Sequence, residues 1–110
     1  MLEIKIENNA DKILRASAEK RNKILTAIAL KAVDIWKKVI TIKGVVDSGT
    51  FRNMCNYEIH DKYILIGNKV EYAPFLELGT SKMKARPTLK PALFDYKDSY
   101  EQIAKDVWSD

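Results

Sequence analysis

The sequence predicts an α+β domain in which a long N-terminal amphipathic helix and a C-terminal helix pack on a small antiparallel sheet. Three observations lead there. The chain opens on a strictly alternating segment, it carries two long apolar stripes at helical spacing, and the stripes are separated by two short runs rich in β-forming residues. Helices segregated from an antiparallel sheet are one of the few ways to bury such faces.

Leu2, Ile4 and Ile6 alternate with Glu3, Lys5 and Glu7, the period of a half-buried strand. Asn8 and Asn9 offer side-chain oxygens to cap a following helix, and Asp11 suits its positive end. No Gly or Pro interrupts Ala10 to Ile42, and Ile24, Leu25, Ile28, Ala29, Ala32, Val33, Ile35, Trp36, Val39 and Ile40 repeat at i, i+3 and i+4. Gly44 ends this helix. Glu19 to Asn22 is polar all round, which allows a break or an exposed turn there. A short turn and helix follows over Asp47 to Cys55. Tyr57–His60 and Tyr63–Gly67 then read as a hairpin turning at Asp61-Lys62, with Asn68-Lys69 as the next turn and Val70 extending the sheet. Tyr72 to Gly79 reads as one or two helical turns, with Pro74 in the first turn and Gly79 as a left-handed stop. The final stripe is Leu89, Ala92, Leu93, Tyr96, Tyr100, Ile103, Ala104, Val107 and Trp108, capped by Thr88 and tolerant of Pro91 in its first turn.

At 110 residues the chain has room for one domain, spanning 1–110. Its 46% apolar and 31% charged residues suit a folded soluble protein. No apolar run is long enough to span a bilayer, and the N-terminus lacks a secretory core, so the expectation is a protein made and dissolved in the cytoplasm, with no membrane partner. Cys55 is the sole cysteine, which rules out an intrachain disulfide and a thiol-rich metal site. A net charge of +4 is compatible with nearby nucleic acid without requiring it.

Chemistry is sparse. Cys55 and the lone histidine, His60, form the one conceivable nucleophile–base pair, and nothing orients the base or supplies an oxyanion site. The four glycines are scattered, so no phosphate cradle exists. Glu71 and Glu77 read as surface or cap residues. No cofactor, metal or catalysis is expected. Lys82, Lys84 and Arg86, with Lys90 beyond, form the densest positive region, on a connection expected to be mobile. It reads either as a solvated loop or as a contact for phosphate or a protein partner, and without interleaved aromatics it implies no base stacking.

Three segments carry a resemblance. Val46-Asp47-Ser48-Gly49-Thr50-Phe51-Arg52-Asn53 is similar to a V-D-T-G-x-L-R-x-S signature of phage minor tail components. Val70-Glu71-Tyr72-Ala73-Pro74-Phe75-Leu76-Glu77-Leu78-Gly79-Thr80 resembles that family's V-x-Y-A-P-Y-V-E-F-G-T box, and Ala85-Arg86-Pro87-Thr88-Leu89-Lys90-Pro91-Ala92-Leu93 resembles the x-R-P-F-L-R-P-A-L segment after it. Met54, Cys55 and Thr88 depart from the pattern. Order and spacing match those of the gene-product-ten-like head–tail joining or tail-completion proteins of long-tailed phages and prophages. The resemblance implies a non-catalytic α+β subunit, built in the host bacterial cytoplasm and ending in the virion at the neck or tail end. It implies a homo-oligomeric ring touching other neck, portal-side or tail-tube proteins, with at most weak, non-specific DNA contact. The runner-up is a small basic nucleic-acid-binding module.

The residue chemistry of the boxes is consistent with a structural role. Gly49 and Gly79 stand at expected sharp turns. Tyr72, Phe75, Leu76 and Leu78 crowd four large apolar groups into seven residues, which either complete this domain's core or meet a neighbouring subunit.

Overall fold

The computed structural model describes residues 2–7, 15–45 and 48–109. Its elements run β1 (Leu2–Glu7), α1 (Ala18–Lys43), α2 (Ser48–Asn53), β2 (Cys55–Ile59), β3 (Tyr63–Asn68), α3 (Ala73–Leu78), α4 (Leu89–Phe94) and α5 (Lys97–Ser109). The expected α+β class holds, and β1 and β3 fall where the residue patterns put them, while β2 starts two residues early, at Cys55, and ends before His60. The strands form one antiparallel sheet ordered β1-β3-β2, with β3 central. Ile4 and Ile6 sit at register positions opposite Ile66 and Ile64, while Tyr57 and Ile59 face the same two residues from the other side.

Helix α1 is the spine. Its 26 residues span about 39 Å at 1.5 Å per residue, most of the molecule's 47 Å length. Ile24, Leu25, Ile28, Ala29, Ala32, Ile35, Trp36, Val39 and Ile40 are buried along it, on the face that the spacing predicted. The strands β2 and β3 lie against it, and so do α2, α4 and α5. From the sheet side, Ile64 and Ile66 fill the space; from the other elements come Phe51, Leu89 and Ala92. The most extensive contact of α5 is with α1, so the C-terminal helices run back along the spine, placing Thr88 beside Trp36 and Trp108 beside Lys20.

The start of α1 differs from expectation. The Asn8, Asn9 and Asp11 cap lies outside the described residues, and the helix begins at Ala18 with Ser17 as its cap, whose hydroxyl accepts from the Lys20 amide. The polar run Glu19 to Asn22 makes no break: it is the first turn. Arg21 turns inward there, donating from Nε to the Asp61 carbonyl (2.7 Å), from Nη1 to the Ala16 carbonyl (3.0 Å) and from Nη2 to the Asp61 carboxylate (2.6 Å). One guanidinium thus locks the hairpin turn to the helix start. At the other end Gly44 takes the left-handed stop, φ 58° and ψ 45°, and its amide reaches Ile40.

Two further expectations are corrected. Val70 does not extend the sheet, because its amide donates to the Asn68 side chain, which ends β3 in a tight turn. The last stripe is not one helix: it divides at Asp95 and Tyr96, and the Tyr100 hydroxyl donates to the Ala92 carbonyl (2.6 Å) across the break.

The Arg21 lock has a pH signature. Hydrogen bonding to the guanidinium holds the Asp61 carboxyl below the usual carboxylate range. A group with a depressed folded pKa stabilises fully above its unfolded value, about 4, and loses that contribution as pH falls through the folded one. Asp61→Asn should therefore melt below wild type at neutral pH, and the two melting curves should converge only below about pH 4. A gap unchanged at pH 2.5 to 3 would contradict the assignment.

Candidate functional site

The three segments singled out by resemblance converge on the C-terminal half of α1. Trp36 is fully buried there. Phe51 of the first segment meets it edge-on at 5.9 Å, and Tyr72 of the second meets Phe51 edge-on at 6.0 Å. The indole Nε1 donates to the Thr88 hydroxyl of the third segment at 2.9 Å. A buried indole N–H needs such a partner, and a phenylalanine at position 88 could not supply it. Thr88 therefore does not cap α4 with its side chain, as expected from sequence.

Glu77 is the cap. Its Oε1 accepts from the backbone amides of Thr88 (3.0 Å) and Leu89 (2.9 Å), and its Oε2 from that of Lys90 (3.0 Å). The first amides of any helix lack an intrahelical acceptor, and a carboxylate at the positive end satisfies both the hydrogen bonds and the dipole. The cap comes from eleven residues upstream, so it also ties α3 to α4.

Arg86 closes the arrangement. Its amide donates to the Leu76 carbonyl (2.7 Å), and its Nη2 to the Lys43 carbonyl (2.9 Å), one of the unpaired acceptors at the end of α1. Lys43 returns the contact by donating from Nζ to the Pro87 carbonyl (2.8 Å). Arg52 of the first segment donates to the Thr41 hydroxyl (2.7 Å), again at that end. Pro74 occupies the first turn of α3 and Ala73 is fully buried beneath it. Pro91 stands in the first turn of α4, where a missing amide costs nothing.

The glycines part company. Gly79 has φ 78° with ψ 177°, a positive-φ extended bend and not the left-handed helical stop expected. A Cβ there would stand 2.8 Å from the Ala85 amide nitrogen and 3.0 Å from the Met83 carbonyl oxygen. Gly49 has neither constraint: it lies within α2 without a positive φ, and nothing lies within 4 Å of its Cβ position. Asp47 lies outside the described residues.

The loop after Gly79 is tied down, not a loose connection. Thr80 and Met83 exchange backbone hydrogen bonds, and the Lys82 amide donates to the Thr80 hydroxyl. Lys82, Lys84 and Lys90 have exposed side chains there. On α3, Tyr72 and Leu76 turn inward, while Phe75 and Leu78 stay 52% and 77% exposed. Four crowded apolar groups have divided evenly between core and surface.

Cys55 and His60 are not brought together. Cys55 opens β2 and His60 follows its last residue, about 17 Å away at 3.4 Å per residue. Burial pushes the Cys55 thiol up to about 11, against smaller lowering effects of the Asn68 hydrogen bond and the Lys37 charge. The His60 ring stacks on Tyr63 at 4.5 Å, with Nε2 3.5 Å from the Glu58 carboxylate. Sequence reasoning missed Asn68, which is buried and donates to the Phe51 carbonyl (2.8 Å), pinning α2 to the end of β3. An amide in place of the next alternating apolar residue after Ile64 and Ile66 was its only signal. Among the described residues no cluster of His, Cys, Asp or Glu could hold a metal, and no helix is long and apolar enough to cross a membrane.

Two outcomes follow for this site. Glu77→Ala strips three backbone donors of their acceptor and should cost about 2 kcal/mol in urea denaturation, with Glu77→Gln intermediate. Equal stability of Glu77→Ala and wild type would remove the cap from the account. The Cys55 thiol should resist iodoacetamide at pH 8 in native protein and react promptly once unfolded, since only the thiolate attacks; fast native labelling would show that it is not sequestered.

No family model, curated protein or solved structure matches this chain.

Proposed function

We propose that this chain is a structural virion-assembly protein, a ring-forming head–tail joining or tail-completion component of a long-tailed phage or prophage. The reading starts from the three resembling segments, and the observation that carries it is the two-sided use of α3. One face of that short helix builds the core through Leu76, while Phe75 and Leu78 present large apolar surface to the outside. Isolated exposed apolar residues are commonplace, but two on one turn beside a hydrogen-bonded loop make a ready contact for another subunit. Copies in a ring meet through two different surfaces, so α3 needs no symmetric counterpart. On this reading assembly takes place in the host bacterial cytoplasm, and the partners are further copies together with neck, portal-side or tail-tube proteins.

The second reading, a small basic nucleic-acid-binding module, draws on the exposed lysines around the Thr80–Met83 turn. It expects tight, sequence-selective DNA binding that survives about 150 mM salt, where non-specific binders fall to roughly 10⁻⁴ to 10⁻⁶ M. Gel shifts with several unrelated duplexes separate the two.

Light scattering coupled to size exclusion tests the structural reading directly. Wild type should exceed monomer mass at high concentration or when mixed with a portal-bound or tail-tube partner. Leu78→Asp should lose that association while changing stability by no more than about 0.5 kcal/mol, as surface substitutions do. A strict monomer under both conditions would sink the proposal.

A further inference from the structure

The fold gathers cations that the sequence keeps far apart. Lys37 and Arg52 line one shallow depression with Thr41 and Ile42. Arg52 is bonded to Thr41, Arg86 to the Lys43 carbonyl, and Lys43 to Pro87, so α1, α2 and the loop before α4 share one positive end. Lys84 lies two residues before Arg86, and Lys90 four residues after it.

The described carboxylates nearby are already engaged. Asp34 is engaged by Lys38 at 3.2 Å, and Glu77 is committed to three backbone amides. At the opposite end of α1, Arg21 is paired with Asp61 and Lys23 with Glu19. The helix dipole and C-terminal capping account for Lys43 and Arg86. They do not account for Lys37, Lys84 and Lys90, whose ammonium groups are exposed and make no ion pair among the described residues.

We infer that the C-terminal end of α1, with Arg52 and the Lys84–Lys90 segment, is a binding surface for the phosphate backbone of double-stranded nucleic acid. The loop lysines alone would be a small cluster. Joined to Lys37 and Arg52 they form a positive end drawn from four segments and tied together by the Arg86 and Arg52 hydrogen bonds. A duplex is favoured over an anionic membrane because the exposed apolar groups described in these segments, Ile42, Met54 and Met83, come singly from α1, the chain after α2 and the loop, whereas membrane-surface helices present one broad apolar face. Contacts are to phosphate, so the surface selects no sequence. It rests on charge placement alone and holds whether or not the chain forms a ring.

Fluorescence anisotropy of the full chain with a short mixed-sequence duplex, across about 50 to 200 mM salt, tests this. Each phosphate contact contributes about −0.9 to the slope of log K against log salt, so wild type should show a slope of about −3 to −5. The triple variant Lys37→Gln, Lys84→Gln, Lys90→Gln should be shallower by about 2 to 3, and Lys37→Gln alone by about 1. A charge-matched control, Lys23→Gln, Lys31→Gln, Lys62→Gln, should keep the wild-type slope. Equal slopes for the two triple variants would overturn the assignment of the surface. Absence of duplex binding at about 50 mM salt would overturn the proposal, as would binding only to anionic phosphatidylserine vesicles. Light scattering on the same samples reads ring assembly separately, so failure of one reading is not mistaken for failure of the other.

Discussion

A single carboxylate joins the parts of this molecule that share little sequence proximity. Glu77 projects from α3 onto the first three amides of the segment entering α4, and those of Thr88 and Leu89 would otherwise face a partly buried environment unbonded. Helix α4 has six residues, far too few to persist by propensity alone. Its start is fixed by Glu77 and its inner face by Leu89 and Ala92. Once it is fixed, Thr88 stands within reach of the Trp36 indole, and the chain leaves α4 in the direction that carries α5 back along α1. The other contacts at this end presuppose that placement. Arg86 reaches the Lys43 carbonyl only because the segment after Gly79 has been drawn against α1.

The same clamp divides labour on α3. Because Glu77 must point at α4 while Ala73 and Leu76 face the core, the helix geometry leaves Phe75 and Leu78 outward. Exposed apolar surface next to an immobilised loop is thus a geometric consequence of the cap. The structural role proposed above uses that surface, and the positive end of α1 lies on the same clamped assembly.

Much of the fold was legible. The alternating Leu2–Glu7 run, the stripe from Ile24 to Ile40, the Asp61-Lys62 turn and the Gly44 stop are local patterns, and local patterns survive into structure when they agree with burial. What was illegible was long-range polar pairing. Arg21 looked like part of a solvated turn because its partner, Asp61, is 40 residues away. Thr88 looked like a cap, since nothing local discloses that its hydroxyl is taken by Trp36, 52 residues earlier. Gly79 was read correctly as a positive-φ position, and wrongly as a helical one, because the close approach of Ala85 that demands extended ψ is a tertiary fact. The candidate site suffered most. Lys82, Lys84 and Arg86 read as one loop cluster, whereas Arg86 is bound to the end of α1 and cations from α1 and α2 join from elsewhere.

Native-state hydrogen exchange tests the central claim most directly. The Thr88 and Leu89 amides occupy the first turn of a short helix, where no intrahelical acceptor exists and exchange is ordinarily fast. With Glu77 as their acceptor they should exchange as slowly as the amides around Trp36 in α1, opening with the global transition. If those two amides exchange at the rate of unprotected loop amides while α1 stays protected, the Glu77 clamp does not hold the structure together.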